Sequence, residues 1–359
     1  TTLSSSSNSS VDCRRVAPSN SSTSEKQSFF SSNDKIDVSS LTPFDSSWIP
    51  INSSNSKRPT IVGGESVEYD MNTKSIYCSY GKKKIDDEFS NEIWRYSISD
   101  NTWEKFEVEG LVQRANCGSV LFDNKLWFFG GLNQKKIPAK DFHYIDLAKR
   151  IVVYPKTNGI EPPPCANPLI MCYKPYIIII ANKSISDPVS IYLLNTDNLE
   201  WSVIKTEYLF RQGACGAVLG SKLYIFGLSI PKTILEMNLI DFSLNLLSTT
   251  GIEPVVLDDL SAVALGKTFL FFFEKIGNES KSRLFVLDCE RKNWYCFSLN
   301  YNKTHLIEGA PDSVFYIEEE RRLIAVWSNL DSMYSLTELY IGKSLSVINQ
   351  KLDFLKMLE

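Results

Sequence analysis

Two adjacent glycines, Gly130 and Gly131, close the apolar stretch "DNKLWFFGG" at residues 123–131. A strand that runs into glycines can open a phosphate-binding loop, because backbone N–H groups reach a phosphate where no side chain intervenes. That chemistry needs a Gly-x4-Gly-Lys-Ser/Thr or Gly-x-Gly-x-x-Gly frame leading into a helix. The continuation "GGLNQKKIPAKD" supplies neither frame, and Pro138 opposes a helix there. The pair is therefore expected to turn the backbone rather than to hold a ligand. A second pair in "PTIVGGES", residues 59–66, reads the same way.

Other residues with chemical potential are equally unpromising as an active site. The chain has two histidines, His143 and His305, and neither stands at a metal-ligand spacing from the other or from a cysteine. No metal or other cofactor is expected, and no Ser-His-Asp arrangement follows from the order of residues. The acidic runs "DDE" (86–88) and "EEE" (318–320) read as solvated turns. Eight cysteines contain no Cys-x-x-Cys pair, and Cys117, Cys172, Cys215 and Cys296 lie among apolar residues. They read as buried thiols of a cytoplasmic protein.

The 359 residues carry a net charge of −4, which argues against non-specific nucleic-acid binding. The longest dense apolar run, Tyr176 to Ala181, is strand-sized and far too short to span a membrane. The first forty residues hold fifteen serines and few large apolar side chains. Such a segment buries too little surface to offset its ordering entropy, so residues 1–42 are expected to form a disordered arm.

Beyond residue 60 the chain repeats. An apolar strand recurs as "SIYCSYG" (75–81), "KLWFFGG" (125–131), "PYIIIIA" (175–181), "KLYIFGL" (222–228), "TFLFFFE" (268–274) and "RLIAVWS" (322–328). Its second residue falls at 76, 126, 176, 223, 269 and 323, giving intervals of 50, 50, 47, 46 and 54. A near-constant period of this size marks repeated supersecondary units. A small residue and an apolar one precede most copies, as in Ser66-Val67, Ser119-Val120 and Ala217-Val218. A third strand, a turn and a fourth strand follow, the last often opening at Trp: Trp103, Trp201 and Trp294. The second unit has Val152 in that frame. Such regular placement assigns the tryptophans to packing between units rather than to ligand stacking. Four short β-rich strands per unit, six times over, suit a propeller, which protects strand edges by radial closure.

The residues at this point resemble the kelch repeat. "RANCGSVLFDNKLWFFGG" (114–131) carries an Arg before the first strand and a glycine doublet after the second, and Tyr96 and Trp103 form a Tyr-x6-Trp pair. "RQGACGAVLGSKLYIFGL" (211–228) is the next best copy. The resemblance implies an all-β, six-bladed kelch-type propeller over residues 43–350. Its blades would lie near 60–108, 109–158, 159–207, 208–251, 252–300 and 301–350, with a short tail at 351–359. Ring closure is left open between "SSWIPI" (46–51) and "SLSVI" (344–348), either of which fits the fourth strand of the last blade.

Propellers of this kind also imply where to look for function. The loops joining second to third strands share one face with the segments joining one blade to the next, and loops on a rigid scaffold concentrate binding residues. The candidates are Arg114, Arg211, Asn133, Lys135, Lys136, Lys83 and Lys183, with Lys82, Lys84 and Lys140 nearby. The expected role is a non-enzymatic scaffold or adaptor whose protein partner offers an acidic surface or peptide. The alternative implied by the resemblance is a sugar mutarotase or an oxidase with its site at the central channel.

Overall fold

The computed structural model describes residues 49–340 apart from 84–87, 183–185, 231, 252, 255–260, 266–268, 276–280, 301–310, 318, 321 and 328–334. The expected serine-rich arm, the strand proposed at 344–348 and the tail at 351–359 lie outside the described residues.

Six antiparallel sheets form a ring, giving a six-bladed β-propeller. Blade 1 comprises Glu65–Asp70, Ser75–Tyr80, Ile93–Ser97 and Thr102–Lys105. Blade 2 comprises Gly118–Phe122, Lys125–Phe129, Phe142–Asp146 and Ile151–Val153. Blade 3 is built from Leu169–Tyr173, Tyr176–Ala181, Ser190–Asn195 and Glu200–Lys205, and blade 4 from Phe210–Leu219, Lys222–Leu228, Thr233–Asn238 and Leu244–Ser248. Blade 5 uses Ser261–Leu265, Phe269–Lys275, Lys281–Asp288 and Asn293–Asn300. Blade 6 has Ser313–Ile317, Arg322–Trp327 and Ser335–Tyr340, and its fourth strand is Ile49–Ile51 from the other end of the chain. All six apolar marker strands occupy the second position of their sheets.

Local chemistry explains the turns. Asp123 and Asn124 sit at φ +52° and +55°, the left-handed pair that a two-residue hairpin needs. Between third and fourth strands an Asx side chain caps the turn repeatedly. Asp146 Oδ1 accepts from the Ala148 and Lys149 N–H groups, Asn195 Oδ1 from Asp197 and Asp288 Oδ1 from Glu290 and Arg291.

Burial on both faces explains why the marker strands read as unbroken apolar runs. Leu126 and Phe128 point toward blade 1, where they pack with Tyr80, Ile93 and Phe106. Trp127 and Phe129 point the other way, toward Ile170, Ile177 and Trp201 of blade 3. The repeated tryptophans face the preceding blade. Trp201 meets Phe142 edge-on at 5.3 Å, Trp294 meets Phe226 at 5.7 Å, and Trp103 shares a cluster with Phe315 and Val326 of blade 6. That last cluster, with the ion pair Lys74–Glu319 at 2.9 Å, joins last blade to first.

Two features depart from expectation. Blades 3 and 5 each carry a fifth, parallel strand, Asn158–Gly159 and Thr250–Gly251, supplied by the connector entering from the previous blade. Gly159 and Gly251 adopt φ +87° and +85°, and a β-carbon on either would collide with the backbone carbonyl of Trp201 or Trp294. The matching words "NGIEP" and "TGIEP" thus encode a backbone seat against the Trp-bearing strand. Cys172, read as a thiol, is disulfide-bonded, while Cys78, Cys117, Cys165, Cys215 and Cys289 are free. Sequence spacing carries no signal for that bond, because connectivity is a property of the folded chain.

Candidate functional site

On the face that carries the second-to-third-strand loops, blades 1 to 3 are stitched by backbone hydrogen bonds. Gly81 N–H donates to Arg114 O, Arg114 N–H to Ser90 O, and Ala115 and Leu132 exchange bonds at 3.2 and 2.7 Å. Asn116 N–H donates to Gly64 O, and Gly131 N–H to Cys165 O. The blade 2 loop also reaches back, since Gln134 Oε1 accepts from the Phe89 N–H at 2.9 Å. The rim here is a continuous network rather than a set of separate loops.

The glycine pair has its answer in this rim. Gly130 and Gly131 sit at φ +68° and +82°. A β-carbon on Gly131 would lie 2.5 Å from Cys117 Sγ and 2.7 Å from Ala115 O, and one on Gly130 would strike Cys165 O. The doublet is what lets the second strand leave the sheet beneath two connectors.

Beyond the glycines the chain makes a tight excursion and returns at Asp141. Asn133 shapes it: its Oδ1 accepts from the Lys135 and Ile137 N–H groups at 3.0 and 3.1 Å, and its carbonyl from Lys136. Lys135 and Lys136 are exposed at the tip, Lys136 at φ +60°, and Lys140 is exposed on the return. Within residues 131–141 three lysines oppose one carboxylate, Asp141.

Asp141 is itself committed. Its Oδ1 accepts from Arg114 Nη2 at 2.8 Å, and its Oδ2 lies 3.5 Å from His143 Nδ1. Burial alone would raise this carboxyl, but its contacts with His143 and Arg114 outweigh that and hold it at about 2. The Nε2 of His143 is 2.7 Å from the Tyr80 hydroxyl of blade 1. Phe128 stacks on the imidazole at 5.3 Å, and Tyr154, itself 53% exposed, covers it from the connector leaving blade 2. Tyr80 sits at φ +63° and is fully buried, and burial pushes its hydroxyl well above the usual range. Burial likewise pushes the neighbouring Cys117 thiol far up.

The predicted residues therefore divide. Asn133, Lys135 and Lys136 share one tip, with Lys83 in the adjoining loop, where it pairs with Ile61. Arg114 is held at the base of the blade 2 loop, its side chain only 15% exposed and its guanidinium engaged by Asp141 and the Gln113 carbonyl. Arg211 belongs to the first strand of blade 4, Phe210–Leu219, away from that tip in the chain's circuit. Lys183 lies outside the described residues, as do Lys84 and His305. The lysines of the blade 1 loop are accompanied by Asp86, Asp87, Glu88 and Glu92 in the same stretch of sequence, so positive charge concentrates on blade 2.

Sequence reasoning missed Tyr80, Asp141 and His143 as a unit. Tyr80 and His143 are 63 positions apart and belong to different repeats, so no local spacing announces them. Among the described residues no group of three or more His, Cys, Asp or Glu side chains is arranged to hold a metal ion. Among the same residues no helix is long and apolar enough to cross a membrane.

Comparison with known proteins agrees with this architecture. A protein-family model described as the KLHDC2/KLHL20/DRC7 Kelch-repeats domain matches residues 26–228, more than half of the chain. No curated protein matches it. Domains of this kind are commonly protein-interaction modules. With six phased repeats, a ring of six sheets and this match, the chain belongs to the kelch-repeat family.

Proposed function

We propose that the protein is a non-enzymatic interaction scaffold whose partner docks an acidic segment on the blade 2 loop, residues 131–141. One observation carries this reading: Lys135, Lys136 and Lys140 are exposed on a loop whose own carboxylate is already neutralised by Arg114. The loop is held by the Asn133 turn, the Gln134 bond to blade 1 and the Asp141 anchor, so little order is lost on binding. Lysine ammonium groups offer compact charges without a fixed fork, which suits a run of carboxylates better than one bidentate group. Arg114 acts here as a clamp under the loop rather than as a direct contact.

The test is a titration with a fluorescent oligoglutamate peptide. Binding is expected at low salt, to weaken as salt rises, and to fall at least about tenfold in Lys135→Glu/Lys136→Glu. Unchanged affinity of that variant at low salt would overturn the reading.

A further inference from the structure

The buried chain Arg114–Asp141–His143–Tyr80 has no role in forming the propeller that an apolar cluster would not serve equally well. The corresponding seam between blades 2 and 3 is filled by an apolar cluster that includes Trp127, Phe129, Phe142, Ile170 and Trp201. Burying charged groups among aromatic rings is costly unless their partners are complete. Here they are nearly but not fully complete. Neither His143 Nδ1 nor Arg114 Nε has a hydrogen-bond partner, although both are buried.

The orientation of the imidazole fixes where its protons go. Nδ1 faces the Asp141 carboxylate and Nε2 faces the Tyr80 hydroxyl. A neutral ring suits both by carrying its proton on Nδ1, aimed at the carboxylate 3.5 Å away, and accepting from the Tyr80 O–H at Nε2. In that state Arg114 and Asp141 cancel, and the cluster under the loop is neutral. A second proton, taken from solvent onto Nε2, changes two things. The cluster becomes net positive at the base of the loop that carries Lys135 and Lys136. Tyr80 must turn from donor to acceptor, leaving its own proton in a pocket walled by Phe128.

We propose that this chain is a proton-operated regulator of the basic loop: protonation of His143 strengthens binding of the acidic partner, and binding favours uptake of that proton. The inference rests on the reading of the loop given above. Its physical basis is reciprocity, since an anion on the loop stabilises the extra buried positive charge by as much as that charge strengthens the anion's binding. Every titratable or charged group around the ring takes part in the same balance. They are Tyr80 from blade 1, Asp141 and Arg114 at the loop base, Tyr154 from the following connector, and Cys117 beside Tyr80 and Arg114. Solvent reaches the ring by displacement of Tyr154, whose own side is half open.

The experiment uses a peptide of sulfonated residues, whose charge is constant over the range tested. Its affinity should rise about fivefold or more as the pH is lowered. Calorimetry in two buffers of different ionisation enthalpy should show proton uptake on binding. His143→Gln should keep the affinity seen at high pH and lose the dependence. The calorimetric readout needs no variant, so a poorly folding His143→Gln leaves the proposal testable. Binding without proton uptake overturns this inference and leaves the basic loop standing. PH dependence that persists in folded His143→Gln overturns it as well. Absence of binding at every pH removes the loop reading and this inference together.

Discussion

Blade 2 meets its two neighbours in different ways. Toward blade 3 the seam is aromatic: Trp127 and Phe129 pack with Trp201, which is 3% exposed and edge-on to Phe142. Toward blade 1 the position equivalent to that tryptophan is Val152, only partly buried. Phe106 is instead covered by the Arg150 guanidinium at 4.5 Å, and the loop end of the seam is filled by Tyr80, His143 and Asp141. The same repeat position thus supports a sealed apolar joint on one side and a polar, chargeable one on the other. A propeller tolerates this because each seam is one of six, and closure of the ring holds a weaker joint in register.

The largest expected effect breaks the aromatic seam. Trp201→Ala should cost about 3–5 kcal/mol, read from denaturant melts, because the removed side chain leaves a cavity between two blades. Val152→Ala, at the equivalent position of the other seam, should cost only about 1 kcal/mol. Comparable losses would show that the two joints bear the same load.

Next comes the polar seam. Asp141→Asn should cost about 1–3 kcal/mol, since it leaves the largely buried Arg114 without its carboxylate. The pH dependence sharpens the point. Asp141 is held at about 2 in the folded protein, below the roughly 3.9 of an unfolded aspartate. A depressed carboxyl contributes stability that is whole above about pH 4 and lost as pH falls from there toward 2. Acid melts of wild type should therefore lose stability in that window more steeply than those of Asp141→Asn. Parallel curves would mean the anchor contributes nothing.

The smallest effect on folding is expected at the loop tip. Lys135→Glu/Lys136→Glu should change stability by no more than about 0.5 kcal/mol, because both side chains are exposed. A large change would make the lysines structural and weaken their assignment to binding.

The apolar seam was legible in the sequence because it is repetitive. Marker strands at a near-constant period, with Trp103, Trp201 and Trp294 in one frame, predict blades and their packing without any knowledge of contacts. The polar seam was not legible, because Tyr80, Arg114, Asp141 and His143 come from different repeats and only the ring brings them together. Arg114 illustrates the difference. Its place in the repeat suggested a surface cation, whereas its neighbours make it a clamp. Lys135 and Lys136 needed only local reasoning, since a polar loop after a glycine pair is exposed wherever the blade sits. Ring closure through Ile49–Ile51 was one of two options that the sequence left equal, and pairing with Ser335–Tyr340 decides it.

The most direct test of the account is amide hydrogen exchange of the wild-type protein with and without a saturating oligoglutamate peptide. The account predicts added protection in residues 131–141 and in the adjoining 114–116 and 88–90 segments. The turns on the opposite face, such as 147–150, should be unchanged. Protection confined to the innermost strands around the axis, or to those opposite turns, would contradict it and place the binding surface elsewhere.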